Sequence, residues 1–428
     1  MNDSDLISTD KMTDFSHLKH AAKLCARGVR WKKSTISYLN SINRRTIALS
    51  EKIADKTYKP SEYHHFSITE PKPRKISSAT LEDRIVQRAL CEDGVYNQLV
   101  SHLNYNNCAC QVGKGTSFAA ARLARHLKDY VMMYGLRGYV LRIDVRKFFD
   151  NISHGFLKYV VDRYITDKNN RDLLFDLIDS FKTKEIIEPT RREFAGIPLG
   201  SQLSQLFALC SLDPIDQYIQ RELHIEHYVR YMDDIVIIFP DLDTLRLMTK
   251  LIVGRMECLG YEANRKTRIS PVGDGITFLH IRFTPTRTGR VIRRLERSKF
   301  AAERRKLKRM FYNMQFNNDS NVNLGIILRH YQGWRENVIQ KLGKNATADM
   351  DAIFLAHMQS RLPRFKLGLE DLDGLSKDFI TKFCLSSIKP SCVNSLFTSE
   401  LSVSDRLIFQ TNNDGGIQNV RTCETAHT

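Results

Sequence analysis

Two short apolar runs, residues 227–231 and 235–239, meet at the acidic stretch Tyr231-Met232-Asp233-Asp234. Segments this close have room only to fold back on each other, so the spacing predicts a β-hairpin with adjacent carboxylates at its turn. Carboxylates so placed commonly hold a hard cation.

A second stretch supplies their partner. Gly138-Tyr139-Val140-Leu141-Arg142-Ile143-Asp144 is β-branched and aromatic and ends in a carboxylate. A polar turn containing Phe149 follows, then a helix over residues 155–164. Alone, Asp144 reads as a helix N-cap. Beside Asp233 and Asp234 it completes a cluster of like charges that repel unless cations neutralise them. Two cations on oxygen ligands, about 3.5 to 4 Å apart, are the recurrent device for in-line phosphoryl transfer.

Charge points to the substrate. The chain has 428 residues and 65 Lys and Arg against 48 Asp and Glu, a formal +17 that favours a polyanion, nucleic acid ahead of an acidic membrane surface. The length suits two or three domains. Nine cysteines include no C-x-x-C, which argues against a zinc ribbon and a disulfide framework and for a reducing compartment. The polar, acidic N-terminus does not read as a signal peptide, and no run approaches the roughly 18 apolar residues of a membrane span, so a cytosolic protein is expected.

Residues 15–58 predict two basic helices carrying Arg27, Arg30, Lys32, Lys33, Arg44 and Arg45. Residues 63–76, with Pro71 and Pro73, predict a hairpin, and residues 79–90 an amphipathic helix. Lys72, Arg74 and Lys75 beside that hairpin's turn suit a phosphate grip. Gly113-Lys114-Gly115-Thr116 lacks P-loop spacing and predicts a turn opening a helix over residues 117–130. The turn from Gly196 to Gln205 leads into an apolar helix over residues 206–218. Further helices are expected over residues 242–259, 324–342, 349–359 and 372–386. Strands are expected over 268–270 and 290–292, with a hairpin over 276–283 and a loose tail over 411–428. Between Arg287 and Arg309 eleven residues are cationic, Arg293, Arg294, Arg297, Arg304, Arg305 and Lys308 among them. Phe300, Leu307, Met310, Phe311 and Met314 recur at helical spacing, so one face packs while the other suits a duplex backbone.

In order along the chain, these motifs resemble the reverse transcriptases: residues 74–90, Gly113 to Thr116, Asp144 to Asp150, Gly200-x-x-x-Ser204-Gln205, Tyr231 to Asp234, residues 260–266 and Phe278-Leu279-His280. The resemblance implies an α+β right hand. It divides the chain into a basic helical extension (1–60), fingers (61–137, with part of 155–195), palm (138–285), basic thumb (286–345) and a C-terminal extension (346–428). It implies two Mg ions, with Mn as the substitute, held by Asp144, Asp233 and Asp234. Phe149 matches a steric gate against a 2′-hydroxyl, Gln205 a residue beside the incoming dNTP, Lys72 and Arg74 a triphosphate grip, and Lys266 a proton donor to pyrophosphate. The implied partners are an RNA template, an RNA/DNA duplex and dNTPs.

Gly200-x-x-x-Ser204-Gln205 departs from the retroviral Pro-Gln form and resembles the bacterial diversity-generating, abortive-infection and defence-associated enzymes. A defence-associated enzyme of the second type is the expectation, copying a structured non-coding RNA, with mobile-intron and retron readings behind it. His280 replaces a glycine usual in relatives. Template-independent or protein-primed synthesis is the second reading and a non-catalytic RNA scaffold the third. Priming, cDNA fate and oligomeric state are left open.

Overall fold

A computed structural model describes residues 11–69, 73–188, 191–316 and 324–361. The expected helix over 372–386 and tail over 411–428 lie outside the described residues, as does Lys72. Helices α1 (Phe15–Cys25), α2 (Lys33–Asn40) and α3 (Ile42–Ala54) open the chain, followed by the antiparallel hairpin β1 (His64–Ile68) and β2 (Arg74–Ser78). Helix α4 (Leu81–Leu90) starts at Thr80, whose hydroxyl accepts from the Asp83 amide at 3.3 Å and donates to its carboxylate at 2.7 Å. Buried Asp83 also accepts from the Tyr58 hydroxyl at 2.8 Å, so Thr80 caps the helix and the Asp83 carboxylate ties the preceding segment to it.

After α5 (Tyr96–Val100), helix α6 (Thr116–Tyr134) begins one residue earlier and runs four residues further than the periodicity predicts. Lys114, just before it, donates to the carbonyls of Tyr105 (3.1 Å) and Asn107 (3.3 Å), holding a turn. Strand β3 (Tyr139–Asp144) follows Gly138, whose φ is +99°; a Cβ there would lie 2.8 Å from the Phe239 carbonyl oxygen, so only glycine fits.

Helices α7 (His154–Tyr164) and α8 (Lys168–Asp179) lead to a hairpin of β4 (Lys184–Glu188) and β5 (Arg191–Ala195). Neither α8 nor this hairpin is anticipated by the sequence reading. The helix expected over 206–218 is corrected. It is α9 (Gln202–Ser211) and α10 (Asp213–Gln217), separated at Leu212 because Pro214 has no amide to continue α9 and starts a new helix instead.

The central hairpin is β6 (Tyr228–Tyr231) and β7 (Asp234–Phe239), followed by α11 (Leu242–Cys258), β8 (Arg268–Pro271), β9 (Ile276–Phe278), β10 (Ile281–Pro285) and β11 (Val291–Leu295). At the β9–β10 turn both Leu279 and His280 have positive φ, 49° and 65°, as a tight primed hairpin turn requires. His280 thus takes up the backbone a glycine would otherwise supply.

Strands β6, β7, β3 and β8 form one antiparallel sheet in that order. Side chains alternate between its faces. Leu141, Ile143, Ile235, Ile237 and Tyr228 enter the larger core with α9 and α11. Val140, Val229, Val236 and Ile238 enter a second core with α6 and Phe278, Ile281 and Phe283. Apolar cover on both faces is why these strands read as almost unbroken hydrophobic runs. The functional side chains are thereby left at the strand ends.

The described residues divide into two compact units, one reaching Lys299 and including Gln340–Gly343, the other Phe300–Ile339 with residues from Lys344 onward. In the second unit, α12 (Arg297–Phe316), α13 (Leu324–Leu342) and α14 (Ala348–Arg361) pack around Leu307, Phe311, Tyr331 and Phe354. Phe300, Met310 and Met314 flank that core, and Arg304, Arg305 and Lys308 are exposed. Among the described residues no helix is long and apolar enough to cross a membrane.

Candidate active site

Asp144 ends β3 directly opposite Asp234, the first residue of β7, and Tyr231 pairs with Asp234 on the other side. Antiparallel pairing puts opposed side chains on the same face, so two carboxylates from distant parts of the chain are neighbours. Asp233 lies on the two-residue turn between them. Met232, the other turn residue, has φ +56°, and its carbonyl accepts from Arg230 Nη1 at 2.9 Å.

Arg230 and its partner Asp216 are both completely buried. The guanidinium donates to Asp216 through Nε (2.7 Å to Oδ1) and Nη2 (2.5 Å to Oδ2), and through Nη2 to the Leu209 carbonyl at 3.0 Å. Tyr228 also donates its hydroxyl to Asp216. The acidic turn therefore stands on a buried ion pair anchored in α9 and α10.

The acidic residues differ in their surroundings. Burial pushes the Asp233 carboxyl up to about 6, with repulsion from Asp144 and Asp234 adding to the rise and Arg74 pulling against it. Burial also raises Asp234, opposed by Arg142. Arg142 grips Asp234 with both arms, Nε to Oδ1 at 2.8 Å and Nη2 to Oδ2 at 2.6 Å, while Nη1 donates to the Thr277 carbonyl at 3.0 Å. Among the described residues the acidic groups do not close into a ready metal cage. The donor set nonetheless fits a hard divalent cation, since Asp144 and Asp233 offer carboxylate oxygens at one end of the sheet.

Phe149 is half-buried and edge-on to Phe148, their rings 5.4 Å apart. Phe148 is sunk in the core against Tyr261, so the two neighbours divide into one packing ring and one ring at the surface of the site's loop. Gln205 sits half-buried in the first turn of α9, which Ser201 caps by accepting from the Ser204 amide at 3.2 Å. Arg74 is exposed at the start of β2 and acts electrostatically on Asp233, so the structure brings the first hairpin towards the acidic turn.

Lys266 is exposed on a turn that runs beside β3: the Asn264 amide donates to the Asp144 carbonyl at 2.7 Å, and the Lys266 amide to Asn264 Oδ1 at 3.2 Å. Arg293 and Arg294 are exposed on β11, and Arg297 is exposed at the start of α12. The sequence reading missed Arg142 and the Arg230–Asp216 pair as site residues. An arginine two places before Asp144 and another one place before Tyr231 were the available signals, since a charge inside an apolar strand needs a partner.

A four-stranded antiparallel sheet with paired aspartates at two adjacent strand ends defines a palm-type nucleic-acid polymerase. Residues 59–281, just over half of the chain, match the family described as "Reverse transcriptase (RNA-dependent DNA polymerase)", and the protein belongs to that family. It is 23% identical over 225 residues to the Putative COX1/OXI3 intron 1 protein of Saccharomyces cerevisiae, covering 51% of this chain and 25% of that protein. It is 25% identical over 198 residues to the Putative COX1/OXI3 intron 2 protein of the same yeast, covering 45% and 21%. The match thus spans about a quarter of the length of these curated relatives.

Among solved structures, telomerase from Candida albicans in complex with a TWJ fragment of telomeric RNA aligns with a TM-score of 0.42 and 13% identity, over 83% of this chain and 71% of that one. The Sicinivirus 3Dpol RNA-dependent RNA polymerase aligns with a TM-score of 0.38 and 15% identity, over 59% and 57%.

Proposed function

We propose that the protein is an RNA-directed DNA polymerase that extends a primer with dNTPs along an RNA template. The observation that carries this reading is the pairing of Asp144 with Asp234 across β3 and β7, with Asp233 on the adjoining turn. Asp144 and Asp233 would hold two Mg ions, or Mn in their place, while Arg142 neutralises Asp234 and keeps it in register. When bound, such ions lower the pKa of a primer 3′-hydroxyl and neutralise the triphosphate and departing pyrophosphate.

The remaining work falls to the chain's own groups. Phe149 excludes a 2′-hydroxyl by its bulk, Gln205 lies beside the incoming nucleotide, Arg74 and Lys72 grip its triphosphate, and Lys266 protonates pyrophosphate. Arg293, Arg294, Arg297, Arg304, Arg305 and Lys308 face the duplex backbone, whose phosphates favour Arg and Lys regardless of sequence. Residues 61–137 and part of 155–195 serve as fingers, 138–285 as palm and 286–345 as thumb.

For the template we propose a dedicated structured non-coding RNA, and for the setting a cytosolic role in defence against phage. Gly200-x-x-x-Ser204-Gln205 supports this branch. The intron proteins among the relatives share the family at an identity that leaves the branch to that motif.

The test is extension of a primed RNA with dNTPs in Mg. The pair Asp233→Ala and Asp234→Ala should abolish incorporation and leave RNA binding intact; synthesis by that variant would overturn the assignment. RNA and DNA co-purifying with the protein identify the template, and plaque counts with and without the same variant test the defence role.

A further inference from the structure

The segment of residues 15–50 contains Lys19, Lys23, Arg27, Arg30, Lys32, Lys33, Arg44 and Arg45 and no Asp or Glu. Four of these cations flank Trp31 along the chain, in the run Arg27-Gly28-Val29-Arg30-Trp31-Lys32-Lys33, three on the loop joining α1 to α2 and Lys33 at the start of α2. Trp31 is 73% exposed. The chain's other tryptophan, Trp334, stacks on Tyr331 with ring centroids 5.9 Å apart, so exposure is particular to the loop. Tryptophan offers the largest apolar ring of any residue, and a soluble surface does not ordinarily leave it bare.

The loop holds a set shape. The Arg27, Val29 and Lys32 amides donate to the carbonyls of Leu24 (3.1 Å), Ala26 (3.2 Å) and Val29 (3.1 Å), and Gly28 supplies the φ of +73° that the turn needs. Trp31 Nε1 donates to the Gly28 carbonyl at 3.3 Å. Its one polar atom is engaged inside the loop and Lys32 Nζ lies over the ring 5.6 Å from its centroid, while most of the ring surface stays open to solvent. The loop's base is tied to α4, where Cys25 Sγ donates to the Arg84 carbonyl at 3.4 Å and Arg84 Nη2 donates to the Cys25 carbonyl at 3.4 Å. Helix α4 in turn reaches α9, the helix of Gln205, through Arg88 Nη1 donating to Gln202 Oε1 at 3.0 Å.

We propose that the α1–α2 loop binds an unpaired RNA segment, with Trp31 stacking on one exposed nucleobase and Arg27, Arg30, Lys32 and Lys33 taking the flanking phosphates. An aromatic platform among cations is the general device for single-stranded nucleic acid, because every base has a π face and every linkage a charge. The site extends the proposed use of an RNA template and holds RNA apart from the primer–template duplex. A lipid surface also accepts tryptophan with lysine, but four cations flanking one tryptophan favour a polyanion over an apolar phase.

The test uses the full chain and a fluorescein-labelled oligoadenylate, read by anisotropy. Trp31→Ala should weaken binding about tenfold, and Trp31→Phe should restore most of it. Arg30→Gln with Lys32→Gln should flatten the plot of log affinity against log salt by roughly 1.4, about 0.7 for each lost phosphate contact. In a Trp334→Phe background, the oligoadenylate should quench the remaining indole fluorescence. Affinity for a primer–template duplex whose template overhangs the primer by only a few nucleotides, and extension of it, should not change in Trp31→Ala. Unaltered oligoadenylate binding by Trp31→Ala, or no quenching, overturns the proposal. So does loss in Trp31→Ala only of sedimentation with phosphatidylserine vesicles. Failure of the wild-type protein to extend any primer would overturn the polymerase reading and leave the quenching result standing.

Discussion

Two charge clusters flank the same hairpin and are treated in opposite ways. Behind it, Arg230 and Asp216 are wholly buried, and every arm of the arginine has an acceptor. In front of it, Asp144, Asp233 and Asp234 lie together, and Arg142 hydrogen-bonds only Asp234 of the three, while Arg74 acts on Asp233 through charge. The first cluster is complete within the protein, and the second is the one that the proposed cations would balance. Stability is thus invested beneath the turn, which leaves the turn free to carry unbalanced charge.

The sharpest way to probe this contrast is Asp233→Asn. Loss of a carboxylate proposed to hold metal should lower incorporation by at least ~10³-fold in primer extension. The same change should stabilise the protein. Asp233 titrates at about 6 when folded against 3.8 as its ordinary value, so the ionised carboxylate costs stability above pH 6 and that cost fades as the pH falls towards 4. In EDTA, the variant should unfold later than wild type at pH 7.5, by about 1–2 kcal/mol, and converge with it near pH 4. Equal stability at pH 7.5 would mean that burial and repulsion together cost the ionised Asp233 nothing.

Next comes the rear cluster. Arg230→Met strands Asp216 in the core and should cost about 3–5 kcal/mol in denaturant unfolding. Adding Asp216→Leu should recover most of that stability without restoring extension, since the Met232 carbonyl has still lost its donor. Full activity in the double variant would show that the ion pair serves folding alone.

A smaller effect is expected from Arg142→Gln. Asp234 then adds its charge to the front cluster, so the melting temperature should fall in EDTA and rise more steeply on adding Mg than in wild type; an unchanged Mg response would break the contrast. Smallest in total rate is Phe149→Ala, which should leave dNTP incorporation within about tenfold while raising ribonucleotide use. Unchanged sugar selectivity would remove its gate role.

Much of the palm was legible because its strands are short, β-branched and bounded by polar turns, and because Asp144 and Asp234 stand at their ends with Asp233 on the turn. The partners of those charges were not. Arg142 needs the β3–β7 register before it meets Asp234, and Arg230 needs α10 folded behind β6, contacts no local pattern encodes. Helix α9 was misjudged for a local reason: Pro214 reads easily as one residue in an apolar run, yet its missing amide divides that run in two. The β4–β5 hairpin escaped because Lys184-Glu185-Ile186-Ile187-Glu188 shows no alternation of polar and apolar residues.

The strand order β6-β7-β3-β8 carries one more implication, in time rather than space. Asp144 emerges from the ribosome well before Asp234, and until β7 is made and inserts beside β3 the two are unconnected. Such non-local pairing closes a long loop and is slow to form. A nascent or truncated chain ending before β7 therefore holds a single aspartate where the finished protein holds a pair. The pair of carboxylates on which the proposed chemistry rests therefore exists only once the central sheet is assembled.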